Sequence, residues 1–215
     1  MAAGINYTLR TETNDASVLS QSYEIKKAIP EVVEQAKKAG YNINKMAVAG
    51  GSAGHTLAMI YAYRDGKDAD VPVIMIYGDG GPSSFHVEDW SIFGIGRNTD
   101  ESRKADAALF TVMSGQMITP EEIQNQSYLQ KVKAIAAEWV KNNPIPTVVA
   151  YGAHDRIQPF AASKRLEKAL KENHVGYKYY VFEHSGHGLQ NDNAMSKKWM
   201  VSIEEYLNKY MPIEQ

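Results

Sequence analysis

The stretch "AGGSAGH", Ala49–His55, separates two apolar runs, "KMAV" before it and "TLAMIY" after it. Three glycines around one serine make a poor helix and a poor strand. A chain that places its most permissive residues at one point between two apolar elements is reversing direction there. Gly50, Gly51, Ala53 and Gly54 leave Ser52 as the one reactive side chain of the turn. Small neighbours let an incoming strand and an outgoing helix nearly touch, and the serine then projects from the C-terminal edge of a sheet. The rest of the chain must supply that sheet.

It does so by alternation. "KMAVAG" (45–50), "VPVIMIYG" (71–78), "PTVVAYG" (146–152) and "YKYYVF" (177–182) are short, nearly continuous apolar runs, the pattern of parallel strands covered on both faces. Helical spacing lies between them: Ile25, Ile29, Val32, Val33 and Ala36 with Gly40 as the stop; Leu57, Ile60 and Tyr61; Ala162, Leu166 and Leu170; and Trp199, Ile203, Tyr206 and Tyr210. Pro30 is expected to kink or restart the first helix. "GINYTL" (4–9) alternates Ile5, Tyr7 and Leu9 and predicts a further strand. The order is that of an α/β fold with a mainly parallel sheet and helices on both faces. Residues 82–130 break the rhythm with Phe85, Trp90 and Phe93 and with a helix start at Thr119-Pro120-Glu121-Glu122. They read as a helical lid insertion within one domain spanning 1–215, its aromatics walling a small apolar acyl pocket.

Gly50-x-Ser52-x-Gly54 between a strand and a helix has the form of a nucleophile elbow. The alternatives are a turn that only packs, or a phosphate cradle at a helix N-terminus. The cradle lacks a Walker lysine, and Ser52 stands where G-x-G-x-x-G needs its second glycine. A serine nucleophile needs a base, and the base an orienting acid. Asp155 in "YGAHDRIQP" and His187 in "FEHSGHG" each follow a strand, so right-handed crossovers bring both loops to the sheet edge that carries Ser52. His187, flanked by Gly186 and Gly188, is favoured over His184, a capping or packing candidate. Asp155 is favoured over Asp79 in "YGDGGPSS". His55, His86 and His174 read as helix or surface residues, and His154 as pointing away. A metal site from His154, Asp155, His184 and His187 matches no familiar zinc spacing. The Ala53 N–H, at the helix N-terminus, is the oxyanion-hole candidate.

At these segments the chain resembles the α/β-hydrolase family, and within it hormone-sensitive-lipase-like bacterial carboxylesterases. The carriers are "GGSAGH" (50–55), "PIPTVVAYGAHDRIQPFAASKRLEKAL" (144–170) and "VFEHSGHGL" (181–189). The resemblance implies a serine esterase with Ser52 as nucleophile, Asp155 as acid and His187 as base. Relatives of this kind place three more strands and a His-Gly-Gly oxyanion loop before the segment matching "GINYTL". Here they are absent, which predicts a sheet with an open N-terminal edge, weakened esterase activity and a homodimer closing that edge.

Composition narrows the remaining classes. With 23 basic and 25 acidic residues, net charge −2 and no basic block, nucleic acid is not an expected partner. The chain has no cysteine, so thiolate chemistry is excluded. No apolar run approaches the ~18–20 residues that span a bilayer. Residues 1–15 lack the pattern of a signal peptide, so the expected location is cytoplasmic and the expected partner a small-molecule ester. No cofactor or metal is expected. Two other readings stay open: an inactive remnant serving as a binding module, and a peptidase or acyl-peptide hydrolase.

Overall fold

The structure is a computed structural model and describes residues 1–212. Four strands form one parallel sheet in sequence order: β1 (Met46–Gly51), β2 (Val73–Asp79), β3 (Thr147–Gly152) and β4 (Tyr177–Phe182). Each strand pair is joined through helices, as parallel pairing requires. α1 (Val18–Lys38) precedes β1, α2 (Ala53–Ile60) follows it, α7 (Phe160–Glu172) joins β3 to β4, and α8 (Asn193–Tyr210) closes the described chain.

β3 shows how the sheet divides its side chains. Val149 and Tyr151 enter the large core with Leu57, Ile60, Leu166 and Leu170, while Val148 joins Met75 and Ile203 in a small cluster beneath α8. One face thus carries α1, α2 and α7, and the other is packed by α8. β1 and β4 are the two edge strands, and β1 is the more open of them. β1 adjoins only β2. It is apolar in sequence, yet none of its six residues is buried.

The helix starts follow local chemistry. Ser17, Thr99 and Thr119 each cap a helix through a reciprocal capping box, and Pro120 opens its helix at the first position. α1 ends before Gly40, whose φ of +90° is the left-handed stop expected there.

Two expectations are corrected. α1 does not restart at Pro30: one helix runs through it. Pro30 is exposed, so the Lys26 carbonyl that loses its helical donor can turn to water. The stretch 4–9 is no strand. It runs without regular structure, its Thr8 N–H donating to Glu24 and its Thr8 carbonyl accepting from Gln21 of α1. Alternation marked residues that could line a sheet, but no strand lies beside them to pair with.

Between β2 and β3 all regular structure is helical. It comprises a 3₁₀ segment at Val87–Phe93, α3 (Asp100–Ser114), α4 (Pro120–Asn125), α5 (Tyr128–Lys131), α6 (Ala136–Trp139) and a final 3₁₀ turn at Val140–Asn142. Phe85, Trp90 and Phe110 pack ring against ring at 5.4–6.2 Å and are buried in the main core, so they hold the insertion onto the sheet instead of lining an open acyl pocket. Phe93 and Ile92 are the exposed apolar side chains of that first turn.

The tightest point is the crossing of β1 and α2. A Cβ on Gly50 would lie 2.3 Å from the carbonyl carbon of Gly54 and 2.6 Å from the His55 nitrogen, both rigid backbone, whereas one on Gly54 would meet nothing within 4 Å. Gly50→Ala should therefore lower unfolding stability by about 3 kcal/mol through overpacking, while Gly54→Ala should raise it by about 0.5 kcal/mol as a helix substitution. Urea denaturation of the two variants checks this, and equal effects would contradict the crossing geometry.

Candidate active site

Ser52 joins β1 to α2 with φ +51° and ψ −124°, a region that residues with a Cβ seldom occupy. Three backbone hydrogen bonds hold it there. Its N–H donates to the Asp79 carbonyl at 2.8 Å, and its own carbonyl accepts from His55 and Thr56 at 3.0 and 3.2 Å. The strain lifts the hydroxyl off the C-terminal edge of the sheet.

The loops after β3 and β4 meet it there. His187 Nε2 lies 2.7 Å from Ser52 Oγ, and His187 Nδ1 lies 2.7 Å from Asp155 Oδ2. Asp155 is 1% exposed and His187 20% exposed, so the acid is sealed while the imidazole keeps a face toward solvent. The Ile157 and Gln158 N–H groups donate to Asp155 Oδ1 at 2.8 and 3.0 Å. With Oδ1 occupied, Oδ2 is left for the imidazole. Nδ1 can only donate to that carboxylate, so neutral His187 presents Nε2 as an acceptor to the Ser52 hydroxyl.

The loops are also tied to each other. The His154 N–H donates to the Ser185 carbonyl at 3.0 Å, and a Cβ on Gly152 would lie 2.1 Å from the Gly186 carbonyl oxygen. Sequence reasoning missed the residue that fastens the His187 loop. Asp192 stands at the N-cap of α8 but makes no capping bond. Its carboxylate turns back to accept from the His184 N–H at 3.1 Å, the His184 ring at 2.8 Å and the Ser185 hydroxyl at 2.5 Å. An aspartate directly before a helix reads as a cap, so only a loop with nothing else to fasten it could have given this role away.

The remaining candidates separate clearly. His184 points outward onto Asp192, and His154 and His174 are exposed. His86 lies 3.4 Å from Glu88 beside the Arg165 ion pairs. Asp79 is at the site, its carboxylate against Gly51. Ala53 is exposed at the first position of α2, where helix geometry leaves its N–H without an intrahelical partner. Among the described residues no group of three or more His, Asp and Glu could hold a metal, and no helix is long and apolar enough to cross a membrane.

His55 is fully buried behind the elbow. It accepts from the Gly81 N–H at 3.3 Å, and it fills space that Gly78 and Gly81 leave, since a Cβ on Gly78 would lie 2.6 Å from its Cδ2. Burial lowers its pKa to about 3, against a smaller upward pull from the Asp79 backbone. His184 moves the other way, raised by its bond to Asp192.

The sequence model of the BD-FAE family matches residues 1–170. The chain belongs to the BD-FAE family. The matched stretch takes in Ser52 and Asp155, and His187 lies beyond it. No curated protein matches this chain in sequence.

Solved structures share the fold at low identity. An acetyl ester-xyloside bifunctional hydrolase from Caldicellulosiruptor lactoaceticus has TM-score 0.65 and 20% identity over 97% of this chain and 71% of its own. A thermophilic esterase from the Planctomycetes species Thermogutta terrifontis, with butyrate bound, has TM-score 0.66 and 17% identity over 94% and 69%. Acylaminoacyl peptidase from Pyrococcus horikoshii has TM-score 0.63 and 15% identity over 94% of this chain but 29% of its own. The BD-FAE chain thus has the α/β-hydrolase fold and spans about 70% of these esterases' length and under a third of the peptidase's.

The two shifted histidines should be visible together in a proton NMR titration. His55 should stay flat from pH 5 to 8, and His184 should titrate above about 6.5. Asp192→Ala should return His184 to the ordinary range. The stability signs are opposite. The His184–Asp192 pair is fully stabilising below about pH 6.5 and fades as pH rises through the raised His184 value. For His55 the unfolded chain takes up a proton below about pH 6.5 that the folded chain refuses until about pH 3, so acid weakens the fold over that interval. A His55 signal moving near neutrality would contradict its burial.

Proposed function

We propose that this BD-FAE chain is a serine esterase acting on carboxylic esters through Ser52, His187 and Asp155. The observation that carries the reading is the continuous hydrogen-bonded line from Asp155 through His187 to a serine on a strained turn. A structural serine has no need of a buried acid that fixes the tautomer of its imidazole partner.

In this reading Ser52 Oγ attacks the ester carbonyl carbon while His187 Nε2 takes its proton. Charge moves to the carbonyl oxygen, and the Ala53 N–H at the positive end of α2 stabilises it. The carbonyl re-forms, the bond to the alcohol oxygen breaks, and His187 returns the proton to the departing alcohol. Water then attacks the acyl-serine with His187 again as base, releasing the acid and restoring Ser52. Asp155 stays ionised throughout and stabilises the imidazolium. Similarity to the Thermogutta esterase with bound butyrate supports short acyl groups, and the Caldicellulosiruptor hydrolase supports acetyl esters.

The peptidase reading draws on the acylaminoacyl peptidase likeness, but this chain matches under a third of that protein's length. The binding-module reading gives no reason for the Ser52–His187–Asp155 line. We also propose that a second copy covers the β1 edge. A parallel strand paired on one side only, whose apolar residues are all partly open, is a template for pairing, and two identical edges meet naturally across a two-fold axis. Sedimentation across a concentration series should show a monomer–dimer equilibrium, and a monomer at every concentration would refute it.

For the chemistry, a fluorophosphonate should label Ser52, and p-nitrophenyl acetate and butyrate should be hydrolysed. Ser52→Ala should abolish labelling, and Ser52→Ala and His187→Ala should each reduce turnover by at least about 10³-fold, because the three residues act as a unit. Labelling at another residue, or Ser52→Ala keeping most of the turnover, would overturn the reading.

A further inference from the structure

His187 stands on a loop whose own side chains do not anchor it in the core: residues 186–192 are half-buried or exposed. Glycines flank His187 on both sides, and Leu189 sits at φ +53°, a left-handed conformation that a residue with a Cβ seldom adopts. Such a segment keeps one shape only where its surroundings over-determine it.

The determining bonds lie at the base of the loop, between His184–Ser185 and Asn191–Asp192. The Asn191 N–H donates to Ser185 Oγ at 3.0 Å, and the Asn191 side-chain amide donates to the His184 carbonyl at 2.7 Å. Asp192 accepts from the His184 N–H, the His184 ring and the Ser185 hydroxyl. Ser185 is the hub. It is fully buried, and its carbonyl accepts from the His154 N–H, directly before Asp155. The Asp192 carboxylate therefore reaches both loops that hold the imidazole: the one that carries His187 and, through Ser185, the one that carries Asp155.

The Asp192 side chain is 11% exposed. The Ser185 hydroxyl, ahead of the His184 ring and N–H, holds its carboxyl below the usual carboxylate range, so it is ionised at neutral pH and accepts at both oxygens. A capping bond to α8 is the local use for an aspartate at this position, and Asp192 forgoes it. The helix gives up that stabilisation, and the loop under His187 receives it.

We propose that Asp192 is a positioning residue of the esterase reaction: its carboxylate closes the base of the His187 loop and keeps the imidazole in line between Asp155 and Ser52, so that its loss lowers kcat and leaves KM in place. The proposal rests on the serine-esterase reading. His187 serves as base in both acylation and deacylation, so a misplaced imidazole slows the two steps together.

Hydrolysis of p-nitrophenyl acetate tests this, with kcat and KM measured separately. Asp192→Ala should reduce kcat about ten- to hundredfold, since misplacing a reacting group by about 1 Å costs up to about 10²-fold, with KM held within about twofold. Asp192→Asn keeps the outline and an accepting oxygen for the Ser185 hydroxyl and should lose less, about two- to fivefold. Ser185→Ala should lower kcat in the same way, and the double variant with Asp192→Ala should lose less than the product of the two, because one residue acts through the other. Proton NMR gives a second readout. The His187 Nδ1–H held against Asp155 should give a low-field resonance that broadens by exchange in Asp192→Ala and persists in Asp192→Asn. Where the alanine variant fails to fold, Asp192→Asn and Ser185→Ala carry the test.

A kcat unchanged in both Asp192 variants, or a loss carried by KM, overturns the proposal and leaves the esterase reading standing. Failure of Ser52 to take up a fluorophosphonate in the unsubstituted protein overturns both.

Discussion

The site depends on how closely β1 and α2 approach each other. No side chain fits at Gly50, because the backbone of Gly54 and His55 already occupies the place of its Cβ. That contact forces the chain from strand into helix across a single residue, and Ser52 takes up the difference at φ +51°. Strain of this kind costs on the order of 1–3 kcal/mol and survives only where surrounding structure over-determines it. Here the surroundings are the Asp79 carbonyl on one side of Ser52 and the first-turn amides of α2 on the other. Relaxing the crossing would lower the serine hydroxyl toward the sheet and away from His187.

Parallel topology then does the assembly. Every strand ends at the same edge, so the turns after β1, β2, β3 and β4 converge although Ser52 and His187 are 135 residues apart. Convergence alone would leave the loops within reach but loose. The remaining precision comes from short ties: His154 to Ser185 between loops, the Gly152–Gly186 contact, and Asp192 gathering three donors from the His187 loop.

What could be read from the sequence divides along the same line. The four core strands, the elbow and the positions of Asp155 and His187 were legible, because apolar runs, glycine placement and crossover handedness are properties of sequence and topology. The stretch 4–9 misled because alternation marks a residue's capacity to pair, while pairing needs a neighbour. A restart at Pro30 did not follow because its cost depends on whether the orphaned carbonyl meets water, which is a matter of burial. Phe85 and Trp90 gave a pocket wall in the sequence and core packing in the structure, since an aromatic residue has the same signature in either place. Asp192 was hidden because its side chain abandons the cap that its position predicts.

His55 shows why the elbow cannot be treated as a local motif. Its ring fills the volume that Gly78 and Gly81 vacate, and its Nδ1 accepts from the Gly81 amide. The helix that presents Ser52 is therefore keyed into the turn that carries Asp79 and Gly80. Gly80 in turn supports the His187 ring from below. The Ser52 hydroxyl, the Asp79 carboxylate and the His187 imidazole are connected through one buried, neutral side chain. A larger residue at Gly78 or Gly81 would push on His55, and through it on α2 and Ser52, without touching any of the three groups directly. A charge on His55 would act by the same route, because an imidazolium fully enclosed beside a donating amide would have to expel either the amide or itself. The low pKa of His55 is thus part of what keeps the elbow in place near neutrality, and the coupling runs through packing as much as through hydrogen bonds.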